Sequence, residues 1–508
     1  MNIHSNHTVG ANCYGNKSST ICRKRNFILS FETLFHSSQR SLKVMAKNKV
    51  ELSIQYIEGL IDSRQLIAGS RLPSVRRLAT ELGFSVSTVV ESYARMVSKG
   101  LIEPRKGAGY YVSGYMPEVS FPVSSIQYQR EIDPLWISRQ SLEADRDTLK
   151  PGCGWLPAHW MPDALIRKAM KQVAKAETSL LMDYAVPHGH TGLRQYIARK
   201  KAYIQQELSP AQILLTDSAT QSIDLIFRLL LKPGDVILID DPCYFNFHAL
   251  VEAHHIQAIA VPFTTNGPDI EHFQQALQLK PKIYLTNSGI HNPTGAVLSL
   301  QTAYSIAKMV EKSDMLIIED DIFADFEYLQ APRYAALTGL KQVIQVGSFS
   351  KTLSASVRCG YIISTEKRID ELIDLRIATS FSSSFINADI IYHALMDSGY
   401  QRHTDWLKKQ LMKAFQEQIQ QLAQLEIHPW IIPKAGIFLW CRLPHGVLAA
   451  DLSQYCLQHG VILAPGNSFS KSGNAGQFLR FNVAQSIDKK VFNVLADGLN
   501  DLKKNSLP

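Results

Sequence analysis

The sequence predicts an α/β protein in two parts: a short unit of three helices and a hairpin, then a large domain on a mainly parallel sheet. Three observations carry this. Residues 50–114 show helical apolar spacing broken by cap residues and end in a glycine-flanked basic hairpin. From Pro151 onward, short apolar runs alternate with amphipathic helical patterns. The chain has 508 residues, 45% hydrophobic and 19% charged, enough for more than one core of ordinary globular composition.

The net charge of +8 is a poor guide to partners. Eight basic residues stand against Glu32 alone in the first 50 positions and supply +7 of it, so any nucleic-acid surface further on must be local. Residues 1–49 lack clear periodicity and read as a disordered extension, or as the product of an upstream start with the true start at Met45. They contain no apolar stretch ending in a small-residue cleavage site, which argues against a secretory signal. The seven cysteines are scattered without a CxxC pair, which argues against a disulfide framework or a metal site and for the cytoplasm. No apolar run is long enough to span a membrane.

Val50 to Ser63 has the apolar spacing of a helix. Ser74 is an N-cap for a second helix ending at Gly83, and Ser85 or Ser87 caps a third, Thr88 to Lys99. Leu101 to Val112 then reads as a two-stranded ribbon with the basic tip Arg105-Lys106. This is the order of a winged helix-turn-helix. Ser85, Ser87 and Thr88 lie at the end of the third helix that enters the major groove in such motifs. Arg71, Arg76, Arg105 and Lys106 flank it as candidate phosphate contacts. The alternative is a small dimerisation module with a solvated basic face. The segment RLPSVRRLATELGFSVSTVVESYARMVSKGLIEPRKGAGYYV resembles the DNA-binding domain of GntR-type bacterial regulators, which implies a double-stranded DNA operator as partner.

Residues 115–146 carry Pro117, Pro122 and Pro134 and read as a linker, with a short helix possible over Ile132–Leu142. The strands expected in the large domain, residues 147–508, are Ile213–Thr216, Val236–Ile239, Ile256–Val261, Ile283–Thr286, Leu316–Ile318, Val343–Val346 and Gly360–Ile363. Helical patterns between most of them predict crossovers and hence a mainly parallel sheet.

Lys351 lies in the run Gly347-Ser348-Phe349-Ser350-Lys351-Thr352, seven residues before Arg358. An amine beside hydroxyls and a guanidinium suits condensation with a phosphorylated aldehyde, the dianion held by the fork of donors. Thr216-Asp217-Ser218-Ala219-Thr220 follows a strand and opens a helix, a natural phosphate site. Tyr244 follows another strand and could lie flat on an aromatic ring. Asn292 precedes Pro293, where a cis bond could aim its amide. Asp320 ends a strand, where a buried carboxylate would keep a pyridine nitrogen protonated.

In this order these segments resemble fold-type-I aminotransferases, the pyridoxal 5'-phosphate enzymes of the aspartate aminotransferase class, over about residues 146–505. The resemblance implies Lys351 as the catalytic Schiff-base lysine, Asp320 as the partner of the pyridine nitrogen and Asn292 as the partner of the ring hydroxyl. Tyr244 would be the stacking ring, and Ala219, Thr220, Ser348 and Arg358 the phosphate cup. Tyr184 would reach the phosphate of a neighbouring subunit, implying a homodimer, and Arg480 would fork a substrate or effector carboxylate. Two positions depart from the pattern. Phe323 stands where the family has a tyrosine that donates to the ring hydroxyl, and Ser218 replaces a glycine of the phosphate loop.

Both domains on one chain resemble the MocR subfamily of bacterial regulators. That resemblance implies a domain-swapped dimer whose large domain senses pyridoxal phosphate or a small amino compound. The competing expectation is a working aminotransferase with a secondary DNA-binding domain, which the loss of the tyrosine at Phe323 disfavours.

Overall fold

The structure is a computed structural model that describes residues 49–63, 65–113, 135–145, 147–202 and 208–505. The expected N-terminal extension, Cys13, Cys22 and most of the linker lie outside these residues. The chain divides into two compact units, residues 1–128 and 129–508.

In the first unit, helices α1 (Lys49–Asp62), α2 (Val75–Leu82) and α3 (Val86–Ser98) precede strands β1 (Ile102–Arg105) and β2 (Gly109–Val112). Cap chemistry sets the boundaries. The Ser74 hydroxyl accepts from the Arg77 amide at 3.3 Å and starts α2. Gly83, at φ +64°, ends it, and its amide donates to the Ala79 carbonyl. The choice between Ser85 and Ser87 falls on Ser85, whose hydroxyl accepts from the Thr88 amide at 3.2 Å. A cap at Ser85 starts α3 two residues earlier than expected. The inner faces of the helices bury Ile54, Ile57, Leu78, Val89, Tyr93 and Met96 in one core. The hairpin is antiparallel, Ile102 opposite Val112 and Arg105 opposite Gly109.

The second unit begins with α4 (Trp136–Glu143), then α5 (Asp163–Val173), α6 (Thr178–Met182) and α7 (Thr191–Lys200). Then come β3 (Ile213–Thr216), α8 (Ala219–Leu230), β4 (Val236–Asp241), α9 (Phe245–Ala253), β5 (Gln257–Thr264), β6 (Gly267–Pro268), α10 (Ile270–Ala276) and β7 (Ile283–Thr286). They are followed by α11 (Leu300–Val310), β8 (Leu316–Asp320), α12 (Tyr334–Thr338), β9 (Val343–Ser348), β10 (Gly360–Ile363), α13 (Glu366–Ser380) and α14 (Phe385–Met396). The sheet order is β3-β10-β9-β8-β7-β4-β5-β6. All seven expected strands are present, and β9, β8, β7, β4 and β5 run parallel.

Alternate residues of each strand enter different cores. Leu214, Ile237 and Leu285 pack with α8, α9 and α13 on one face. Leu215, Leu238 and Tyr284 pack with α5, α7, α10, α11 and α14 on the other. This two-sided burial explains why the strands read as continuous apolar runs. Strand β10 is antiparallel to both neighbours. Its link from β9 is a helix-free loop carrying Lys351, and a parallel return needs a longer crossover, usually helical.

After the long helix α15 (Ser398–Ala423), a second sheet forms from β11 (His428–Pro429), β12 (Phe438–Arg442), β13 (Ala464–Pro465) and β14 (Phe478–Asn482), with α16 (Ala449–Gln458) and α17 (Lys489–Asn505). These strands were not among those expected. Two have only two residues, and short apolar runs such as Phe438-Leu439-Trp440 do not separate strand from helix by period. No described helix is long and apolar enough to cross a membrane.

Candidate functional site

The parallel strands β8 and β9 end at Asp320 and Ser348 on one edge of the large sheet, the edge where open α/β sheets bind ligands. A cavity of about 210 Å³ opens there, lined by Ala219, Thr220, Tyr244, Asn292, Asp320, Phe323, Lys351 and Arg358, all expected at the site from sequence. Ser138, Gly154, Trp155, Asn287, Ser350 and Phe438 also line it and were not expected.

Lys351 is held in the loop after β9. Its Nζ donates to the Gly154 carbonyl at 2.6 Å and lies 5.9 Å from the centre of the Phe323 ring. Burial, reinforced by the Arg480 charge, lowers its pKa from the ordinary 10.5 to about 8. Burial acts in the opposite sense on Asp320, raising its carboxyl to about 7 although the Ile322 amide donates to it at 3.2 Å. Both shifts favour the neutral forms. A cationic ring nitrogen beside Asp320 would restore its charge.

The peptide before Pro293 is cis, as expected at Asn292. The Asn292 Oδ1 accepts from Arg480 Nη1 at 2.9 Å, and Arg480 Nη2 donates to the Gly152 carbonyl at 2.7 Å. The Arg480 guanidinium is fully buried, with the Phe438 and Phe469 ring centres 4.1 and 4.7 Å away. Its Nε has no hydrogen-bond partner among the described residues, and burial brings its pKa down to about 10. Arg480 is central in the second sheet, because β14 lies between β12 and β13.

At the other end, α8 points its first turn into the cavity. Ser218 is extended at φ −170° and its hydroxyl caps the helix by accepting from the Gln221 amide at 3.0 Å. The departure from glycine therefore costs no backbone strain. The first amides of such a helix lack internal acceptors and favour an anion. A Cβ on Gly360 would lie 2.5 Å from the Ser218 carbonyl carbon, so the β10 backbone packs directly against this loop. The Arg358 guanidinium is exposed, Nη1 donating to the Ala355 carbonyl at 3.2 Å.

The Ser348 hydroxyl donates to the Cys359 carbonyl at 2.9 Å and accepts from the Ser350 amide, so it braces the loop, and Ser350 lines the cavity. Tyr184 is 82% exposed, stacked on Phe381 at 5.3 Å, and does not line the cavity of its own chain. Donor set and shape together fit a phosphorylated pyridine aldehyde: an amine of depressed pKa, a carboxylate, an amide and an anion cup.

In the first unit, Arg71, Arg76, Lys106 and Ser87 are exposed. Arg105 is less free than expected. It donates to Glu103 at 2.7 and 2.9 Å and lies 4.3 Å over the Tyr111 ring. The Ser85 hydroxyl is occupied as the cap and bonds to the Ser87 and Thr88 hydroxyls at 2.9 and 2.7 Å. Arg77, exposed next to Arg76, was not singled out, although its position in α2 carried the same signal.

The large unit is thus an aminotransferase-type α/β domain, and residues 158–498 match the family model for aminotransferase class I and II. Residues 53–112 match the gntR family of bacterial regulatory proteins. The chain therefore belongs to the aminotransferase class I and II family, and it carries a gntR-type domain on the same polypeptide, a pairing consistent with the MocR subfamily.

Among similar proteins, the uncharacterized HTH-type transcriptional regulator YdcR of Escherichia coli is 29% identical over 82% of this chain and 91% of its own. The uncharacterized HTH-type transcriptional regulator YdfD of Bacillus subtilis is 27% identical over 85% and 91%. Two solved structures share the fold. The α-aminoadipate aminotransferase LysN of Thermus thermophilus has a TM-score of 0.65 at 21% identity, covering 72% of this chain and 94% of that one. The kynurenine aminotransferase of Pyrococcus horikoshii has a TM-score of 0.67 at 20% identity, covering 76% and 98%.

Proposed function

We propose that this chain is a cytoplasmic transcription regulator that binds duplex DNA through its winged helix-turn-helix and senses an amino compound through pyridoxal phosphate held at Lys351. The domain division proposed is residues 50–114 for DNA, 115–146 as linker and 147–508 for sensing. One observation carries the coupling. Helix α4, which lies within the proposed linker stretch and belongs to the large compact unit, lays Ser138 against the cavity and buries Ile137 among Phe245, Trp440 and Phe469. A ligand that moves Tyr244 or Phe245 therefore bears on the element joined to the DNA-binding unit. It shifts the regulator only so far as it binds two arrangements with different affinity.

In this reading the cofactor supplies an electrophilic aldehyde that captures amines. Lys351 would hold that group covalently, Asp320 and Asn292 would hold the ring, and Tyr244 would stack on it. Ala219, Thr220, Ser350 and Arg358 would bind the phosphate. Arg480 would take a carboxylate of the incoming compound by exchanging its backbone acceptor. Tyr184, clear of its own cavity, is suited to reach the cavity of a second, domain-swapped copy.

The alternative is efficient transamination. Asp320, Asn292 and Arg480 favour it, and Phe323 opposes it by presenting an apolar ring where a phenol would donate. Titration of the purified protein with amino acids and amines, read by visible absorbance and DNA affinity together, separates the readings. A spectral response with a change in DNA affinity and no sustained turnover is expected. Rapid turnover of amino acid with keto acid, without effect on DNA, would sink the sensor.

Two further results are expected. Covalent loading with pyridoxal phosphate needs the neutral amine, so its rate should rise with pH to a midpoint near 8 and then level off. A midpoint near the ordinary lysine value would refute the depressed pKa. Arg76→Ala should weaken operator binding and reduce the slope of log K against log salt by about 1. An unchanged slope would mean that Arg76 touches no phosphate.

A further inference from the structure

Helix α3 has an outer face that packing within its unit does not explain. Val89, Ser92, Tyr93 and Met96 are buried on the inner side. On the outer side Val86 and Val90 are 50% and 47% exposed, one turn apart on the same face. Ser87 is exposed beside them, and the acidic group of this face, Glu91, is held by Arg95 at 2.5 Å. Valine is a weak helix former, and an exposed helix position ordinarily takes a long polar residue. Two half-exposed valines at the leading end of the helix present a small, stiff apolar surface with little rotamer freedom to lose.

The neighbouring groups say what covers it. Arg76, Arg77 and Lys106 are exposed cations suited to phosphates, and Ser87 is a hydroxyl suited to a base edge or phosphate. A surface that combines these with apolar methyls matches the major groove, where the C5-methyl of thymine is the apolar feature of the base edges. We propose that Val86 and Val90 are specificity-determining residues that read thymine methyl groups. This rests on the DNA-binding reading above and deepens it. The two side chains start about 6 Å apart along the helix, so the thymines read lie within roughly two base-pair steps of each other. Arginine or asparagine at these positions would instead call for guanine or adenine.

The test uses the full-length protein and the tightest duplex it selects from a random-sequence pool. Each thymine is replaced in turn by deoxyuridine, which removes only the methyl, and affinity is measured at constant salt. The expected result is a loss of roughly four-fold per methyl at one or two positions of each half-site, the equivalent of one buried methylene. In Val86→Ala or Val90→Ala, thymine and deoxyuridine should bind alike at the corresponding position, with the salt slope unchanged. Sensitivity at no position, or sensitivity that survives in both variants, overturns the contact while leaving DNA binding intact. Failure to select any duplex overturns the DNA-binding reading itself, and this inference with it.

Discussion

Lys351→Ala is expected to abolish covalent retention of pyridoxal phosphate and every effect of amino compounds on DNA affinity. Lys351 supplies the only lysine amine among the described residues that line the cavity, so no described neighbour can take its place. Its side chain makes one hydrogen bond, to the Gly154 carbonyl, and the variant should fold. Basal DNA affinity should stay close to wild type, because the winged unit has its own core. Borohydride treatment followed by mass measurement reads the covalent link, and operator titration with and without amines reads the response. A variant that still responds to amines would place the sensor elsewhere.

Asp321→Asn should destabilise the large unit by about 3–5 kcal/mol, the usual cost of removing one partner from a buried ion cluster. Asp321 is buried and accepts from Lys201 Nζ at 2.5 Å and from Arg333 at 2.6 and 2.8 Å. Arg333 also reaches Glu327 at 2.9 Å, and both cations are themselves buried. The arginine and lysine hold the Asp321 carboxyl at about 2, below its ordinary 3.8. A folded-state pKa below the unfolded one gives stability that is complete above about pH 4 and lost as pH falls through about 2. Urea unfolding of the two proteins should show a lower midpoint for the variant at neutral pH. The gap should narrow between pH 4 and 2. A difference under 1 kcal/mol at pH 7 would mean that the cluster relaxes without its carboxylate.

Asp321 also shows how function and stability share one stretch. Asp320 and Asp321 are adjacent and burial raises both, yet their pKa values part: two cations outweigh burial at Asp321, whereas Asp320 waits at the cavity with burial dominant. Sequence reading picked Asp320 for the ring nitrogen through the family resemblance. Nothing in the local run Ile317-Ile318-Glu319-Asp320-Asp321 told which acid would be salt-bridged, since Lys201 and Arg333 come from distant segments.

The elements most legible in the sequence were those whose signal is local. The caps at Ser74 and Gly83 and the seven strand runs of the large sheet depend on a few neighbouring residues and are all present, four of the strands ending two or three residues later than read. The second sheet was missed because its strands are short, two of them only two residues long. The antiparallel β10 follows from the loop before it, which the strand pattern does not encode.

What the sequence by itself determined is the order of the parts: capped helices and a basic hairpin, then alternating strands and helices, with Lys351, Asp320, Asn292 and Arg358 in the order that the family resemblance implies for a cofactor site. What only the tertiary structure decided is which side chains converge. It brought Ser350, Ser138 and Gly154 to the cavity and joined Arg480 to Asn292 across 188 positions of chain. The reason is physical. Caps and strand periods arise from interactions a few residues apart, whereas burial and the pKa shifts it causes depend on neighbours far away in the chain.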